Sequence, residues 1–186
     1  MKILIDARLY GPKDTGIGRY TQKLVDNLSQ IDSSNLYFIL LRKDDYETLV
    51  FPKNWTKVLA DIKHYTFEEQ FKLPFLIYKL KPDLVHFPHF NVPLFYFGKY
   101  IVTIHDLIMH KFTDGSATTR KFPLYQIWRL GYHAAFAKAI YGSVKVIVPA
   151  NSIKDDVVNY YKINPKKVEV TYEGWLFCIY GERLSS

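Results

Sequence analysis

The feature that most constrains this chain is a repeated alternation between compact apolar runs of strand length and longer segments with helical spacing. The first run, residues 2–7, ends in Asp6-Ala7-Arg8, and Tyr10-Gly11-Pro12 with Asp14-Thr15-Gly16 break it sharply. From Ile17 onward Tyr20, Leu24, Leu28 and Ile31 recur at helical steps, while Gln22, Lys23, Asp26 and Asn27 fill the opposite side. Residues 36–41, Leu-Tyr-Phe-Ile-Leu-Leu, are almost continuously apolar, as expected of a strand covered on both faces of a parallel sheet. Strand, glycine-containing turn, helix and strand make one βαβ unit.

The pattern continues with a short strand at 57–60, a helix at 68–80 in spite of Pro74, and a strand at 83–87. Lys81-Pro82-Asp83 separates the last two, because proline disfavours the helical basin for its predecessor. A strand at 100–104 runs into His105-Asp106, followed by a helix at 118–141, a strand at 145–148, a helix at 152–161 and a strand at 168–171. Ser152 with Asp155 reads as a variant capping box that starts the last helix. The expected fold class is α/β, a doubly wound, mainly parallel sheet with helices on both faces and right-handed crossovers. Such sheets bind ligands at the carboxyl ends of their strands, near the point where strand order reverses.

Composition supports a globular chain: of 186 residues, 48% are hydrophobic and 23% charged, which excludes disorder as the main state. The net charge of +7 favours anionic partners such as nucleotides, phosphates, acidic lipid head groups or nucleic acid without choosing among them. Fifteen Tyr and 13 Phe exceed what a minimal core needs, so some rings are expected on a surface that meets a partner. The single cysteine, Cys178, cannot form an internal disulfide and suits a reducing compartment, so a cytoplasmic location is expected. The amino terminus meets Asp6 too soon for a signal peptide, and no run reaches the length of a spanning helix, leaving only peripheral membrane contact.

Three constellations stand just after strands. In Thr15-Gly16-Ile17-Gly18-Arg19-Tyr20 two glycines allow close backbone approach, and the following helix offers unpaired N–H groups to an anion. The third glycine of the dinucleotide fingerprint is missing, as is the Lys-Ser/Thr pair of a phosphate loop, so a tight turn without a ligand explains the residues as well. His105-Asp106 presents an imidazole able to reach a hydroxyl or sugar, although a structural hydrogen-bonding histidine fits the same position. His86-Phe87-Pro88-His89-Phe90-Asn91-Val92-Pro93 is rigid and aromatic, suited to stacking on a sugar face. A metal site from His86, His89, His105 and His110 is not expected, since His-x-x-His in a proline-broken loop lacks the helical geometry of zinc motifs. The basic, Gly/Ser/Thr-rich stretch 111–121 reads as a mobile loop before the long helix.

In order along the chain, the opening strand, Thr15-Gly16-Ile17-Gly18-Arg19-Tyr20, Asp83-Leu84-Val85-His86-Phe87-Pro88, Val102-Thr103-Ile104-His105-Asp106-Leu107, Val148-Pro149-Ala150-Asn151-Ser152 and Val168-Glu169-Val170-Thr171-Tyr172-Glu173-Gly174 resemble the amino-terminal domain of a retaining GT-B glycosyltransferase of family 4. The resemblance implies that residues 1–174 are a Rossmann-like, acceptor-side half. Gly16, Ile17, Gly18 and Arg19 would face the donor diphosphate, with Lys111 as a further source of positive charge. His105 would be the catalytic residue beside the transferred sugar, and His86, His89, Asn91 and Asp106 would bind acceptor.

The same resemblance implies a nucleotide-sugar co-substrate, a glycan or lipid-linked acceptor, no metal or other cofactor, and no nucleic-acid partner. It departs after Gly174, where residues 175–186 read as an apolar tail in place of a donor-binding domain, so little or no activity is expected of the chain alone. That tail is expected to pack on the domain or in a homodimer contact. The alternative is a non-catalytic, flavodoxin-like module binding an anion, a nucleotide or an acceptor.

Overall fold

The computed structural model of the chain describes residues 1–107 and 124–172. Seven strands form one parallel sheet: β1 (Lys2–Asp6), β2 (Leu36–Leu41), β3 (Trp55–Leu59), β4 (Leu84–Phe87), β5 (Tyr100–Thr103), β6 (Lys145–Val148) and β7 (Val168–Val170). Their spatial order is β3-β2-β1-β4-β5-β6-β7. The chain therefore winds outward from β1, returns to its other side at β4, and winds outward again, placing the topological switch between β1 and β4. The helices are α1 (Thr15–Ile31), α2 (Lys43–Thr48), α3 (Phe67–Leu80), α4 (Leu124–Gly142) and α5 (Asn151–Tyr161). This is a doubly wound α/β sheet of Rossmann-like form.

The near-continuous apolar character of the strands follows from two-sided burial. On β1 and β2, Ile5, Tyr37, Ile39 and Leu41 pack with Val25 of α1 and Trp55 on one face. Leu4 and Leu40 belong to the opposite face, where Val85, Phe87, Val102 and Val146 meet Leu73 and Ile77 of α3, Phe136 and Ile140 of α4, and Val157 of α5. The period of two along each strand thus separates two cores. Register is continuous through the centre, with Ile5 opposite Ile39 on one side and His86 on the other.

Several boundaries differ from the sequence reading, for local physical reasons. Helix α1 starts at Thr15, so Gly16 and Gly18 lie in its first turn and not in a loop before it. The turn ahead of it is a 3-10 segment, Pro12–Asp14, entered through Gly11 at φ 88°. Gly18 is required by packing inside the chain: a Cβ there would lie 2.1 Å from the Gly11 carbonyl oxygen, which is backbone and cannot swing away. The Gly11 amide in turn donates to the Gly18 carbonyl at 3.1 Å.

Helix α5 begins at Asn151 with Ala150 as its cap residue and no side-chain cap, so Ser152 falls inside the first turn and the expected capping box does not form. A true side-chain cap sits on α3, where Thr66 accepts from the Glu69 amide. Pro74 lies within α3 and the helix continues past it to Lys81, which adopts the left-handed conformation before Pro82. Helix α2 has no counterpart in the sequence reading, since six residues are too few to show a period. The stretch 111–121, the start of the expected helix at 118–141, and the tail at 175–186 lie outside the described residues.

The two glycines of α1 are expected to respond oppositely to alanine. Gly18→Ala should lower stability by about 1–3 kcal/mol through overpacking. Gly16→Ala, where a Cβ meets nothing within 4 Å, should be neutral or stabilising by up to ~1 kcal/mol. Urea unfolding of both variants checks the pair.

Candidate functional site

At the switch point the carboxyl ends of β1 and β4 part and leave a crevice lined by Asp6, Leu9, Ile17, Thr21, His64, Phe87, Pro88, His89 and Asn91. Its floor is an ion network. Arg8, two residues past β1, is fully buried and donates from Nε and Nη2 to the two carboxylate oxygens of Asp6 at 2.8 and 2.7 Å. Nη2 also donates to Glu69 Oε1 at 2.7 Å, and Nη1 to the Ile62 carbonyl at 3.0 Å. Glu69, on the first turn of α3, is fully buried as well and accepts the Asn91 amide on both oxygens, at 2.9 and 2.8 Å, and the Tyr65 backbone amide at 2.8 Å.

Burial alone would raise the Asp6 pKa, but the charge and hydrogen bonds of Arg8 outweigh it and hold the carboxyl below its ordinary value. Arg8 faces the same competition, and its two carboxylate partners push its pKa up. The guanidinium is thus committed to two carboxylates, and it brings no net positive charge to the crevice.

The histidines around this floor are neutral. Burial, with help from Arg8 and Arg42, pushes His64 down to about 4, while Arg42 donates to its Nδ1 at 3.2 Å. His89 is pushed down to about 3, first by burial and then by His105 and His64; its Nδ1 accepts the Asn91 backbone amide at 3.3 Å. An accepting Nδ1 places the hydrogen of each neutral ring on Nε2. In His89 that nitrogen lies 3.5 Å from the Tyr65 hydroxyl. His86, on β4, is buried and pushed down to about 4 by burial and by His105.

His86 and His105 are joined to α1 through β5. His86 Nε2 lies 2.9 Å from Thr103 Oγ1, and the Tyr20 hydroxyl is 3.1 Å from the same oxygen. The Tyr20 ring meets His105 edge-on, with centroids 4.8 Å apart. His105 Nε2 donates to the Pro88 carbonyl at 2.9 Å, which puts a hydrogen on Nε2 and aims the ring with a backbone group of the crevice wall.

The sequence-derived residues therefore fall into distinct places. Ile17, His89 and Asn91 line the crevice, and His105 stands on its rim through Pro88. Gly16 and Arg19 are exposed at the start of α1, on the same carboxyl edge of the sheet; Asp106 is exposed past β5. His86 lies behind the wall, and Asn91 lends its amide to Glu69. Lys111 and His110 lie outside the described residues.

Sequence reasoning missed Arg8, His64, Glu69, Tyr20 and Thr103. The signature Thr66-x-x-Glu69 was available as a helix start, but it announces a cap and not a buried ion partner. Among the described residues no group of three His, Cys, Asp or Glu side chains is placed to hold a metal ion.

A doubly wound sheet with a polar crevice at its switch point is the framework of many ligand-binding and transferase domains. The chain belongs to Glycosyltransferase Family 4, whose family model matches residues 15–174. No curated protein matches it.

Arg8→Met should destabilise the fold by about 3–5 kcal/mol, because it leaves Asp6 and Glu69 buried without their common partner; thermal and urea unfolding measure this. Stability should also fall as pH drops from about 6.5 toward 4. The unfolded chain binds protons on His64, His86 and His89 in that window while the folded chain does not, so their contribution is complete above the ordinary imidazole value and is lost below it. Urea midpoints at pH 7 and pH 5 should differ accordingly, and His86→Gln should narrow the gap.

Proposed function

We propose that residues 1–174 form the acceptor-side half of a retaining glycosyltransferase that moves a sugar from a nucleotide-sugar donor to a hydroxyl of a glycan or lipid-linked acceptor. The observation that carries this reading is the electrostatic state of the crevice: its guanidinium is neutralised by Asp6 and Glu69, and its imidazoles His64 and His89 are uncharged. Neutral N–H donors beside rings and a fixed carboxylate suit the hydroxyls and apolar face of a sugar. A diphosphate would instead call for uncommitted positive charge.

The donor is accordingly assigned to a second α/β domain facing the carboxyl edge of this sheet. The exposed first turn of α1, with Gly16 and Arg19, would approach the leaving diphosphate, whose charge a helix N-terminus favours. Asp14, the cap residue, makes no side-chain hydrogen bond to that turn, although the Thr15 amide at its start is already taken by the Pro12 carbonyl.

His105 is held by Pro88 and Tyr20 next to the crevice, and in this reading it would be the catalytic residue beside the transferred sugar. His89 and Asp106 would bind acceptor hydroxyls, whereas His86 would act through Thr103 and Asn91 through Glu69. Without a donor domain the leaving group would lack its electrostatic partner, and such stabilisation is usually the largest single catalytic contribution.

Titration calorimetry of the 186-residue chain with UDP-glucose and GDP-mannose, and saturation-transfer NMR with a panel of neutral disaccharides, test the reading. Expected are no tight donor binding and weak disaccharide binding that His89→Ala lowers about tenfold, the loss of roughly one good hydrogen bond. Tight binding of either donor, or affinity for flavin mononucleotide without affinity for any sugar, overturns it.

A further inference from the structure

The outer side of α3 carries an aromatic ridge that the crevice does not use. Phe67, Phe71, Phe75 and Tyr78 follow one another at helical spacing, and their exposures of 90, 62, 73 and 46% mean that the described protein covers none of them fully. At 1.5 Å per residue the ridge is about 16 Å long. The loop from β4 to β5 lies alongside it and extends it. There Phe95 stacks on Phe71 with ring centroids 4.9 Å apart, the Leu94 amide donates to the Gln70 side chain, and the Phe97 amide donates to the Tyr78 hydroxyl.

Leu94, Phe95 and Phe97 are exposed too, Phe97 at 74%. Every exposed phenylalanine among the described residues belongs to this one patch. Scattered exposed apolar residues need no explanation, but a contiguous sheet of rings does.

The patch is edged by lysines. On the α3 wheel Lys72 and Lys79 follow the aromatic stripe on the side away from the loop. Lys99 is exposed at the far end of the loop, and Lys138 of α4 holds its ammonium 4.2 Å from the Phe97 ring centroid. The only acids among residues 63–99 are Glu68, Glu69 and Asp83; Glu69 is buried on Arg8, and Glu68 pairs with Lys72 one turn on, which leaves Lys79 and Lys99 as the edging lysines of this stretch with no acid beside them among the described residues.

We infer that this ridge is a membrane-docking surface, with the rings of α3 and of the β4–β5 loop inserted at the level of the head groups and the flanking lysines on anionic phospholipid. Composition selects the bilayer over a protein partner. Exposed rings suit both partners, but protein interfaces favour Arg and are depleted in Lys, whereas residues 63–99 contain no Arg and five Lys. Phenylalanine on one stripe with lysine beside it is the pattern of a helix lying in the interface plane, where long lysine stems leave their charge in the head groups. The net charge of +7 adds attraction to an acidic leaflet.

Attachment would be peripheral, since among the described residues no helix is long and apolar enough to cross a membrane. Helix α3 runs antiparallel to the strands, so its first turn, with Tyr65 just before it, stands at the crevice beside His89 and the ridge leads away from that edge. A domain closing over the crevice would leave the ridge open. The inference goes beyond the transferase reading and stands without it.

Cosedimentation of the full chain with vesicles of phosphatidylcholine alone, and of equimolar phosphatidylcholine and phosphatidylglycerol, tests it in the absence of any sugar nucleotide. Binding is expected to the anionic vesicles, weakened by salt, and lowered at least about tenfold by the combined changes Phe71→Ser, Phe75→Ser and Phe97→Ser. Circular dichroism monitors the fold of that variant. Should it not fold, Lys72→Glu with Lys79→Glu is expected to weaken binding to anionic vesicles in its place. No binding to either vesicle, binding indifferent to the substitutions, or a dimer in sedimentation velocity that the serine variant dissociates would each overturn the inference.

Discussion

The guanidinium of Arg8, sealed between Asp6 and Glu69, is the interaction on which the rest of this domain's functional edge depends. Asp6 ends β1, Glu69 opens α3, and Asn91 belongs to the loop after β4, so one buried network ties together the three elements that surround the switch point. Two carboxylates and one guanidinium buried together are costly unless every oxygen finds a donor. Here the oxygens of Glu69 accept from Arg8, from the Asn91 amide and from the Tyr65 backbone, which offsets the unpaired charge. The geometry of that compensation fixes where the loop from Pro88 to Asn91 can lie, and His105 takes its orientation from the Pro88 carbonyl of the same loop.

A division of labour follows along the carboxyl edge of the sheet. The crevice is polar and carries no free cation from the Arg8 network, while the first turn of α1 beside it is exposed and ends a helix dipole. One part suits hydroxyl groups and the other suits negative charge. Placing both within one rim is a property of the doubly wound topology, which brings the ends of β1, β4 and β5 side by side although they are far apart in the chain.

The aromatic excess visible in the composition divides in the same way between inside and outside. Phe87, Tyr96 and Tyr100 form one ring cluster and Phe90 stacks on Phe136 in the same core beneath α3 and α4, whereas Phe67, Phe71, Phe75, Phe95 and Phe97 are exposed on α3 and the β4–β5 loop. Helix α3 is therefore apolar over much of its circumference for two separate reasons: one face fills the core and the other remains uncovered.

By itself the sequence determined the order and type of nearly every long element, because two-sided burial writes apolar runs into parallel strands and one-sided burial writes a helical period into α1. Strands β2 and β6 appear at their expected bounds, and the doubly wound, parallel class was expected from the alternation, while the strand order was not. Residue identity also marked His105, His89 and the two glycines as belonging to strand ends. Tertiary structure decided what those residues do. Gly18 is a glycine because the Gly11 carbonyl occupies the space of its side chain, and Ser152 is not a cap because α5 begins one residue earlier. Arg8 and Glu69 are 61 positions apart, and Asn91 is 22 beyond Glu69, so no local pattern announces their network. Periodicity records which side of an element is buried; the partner across the gap is set only when the chain folds back on itself.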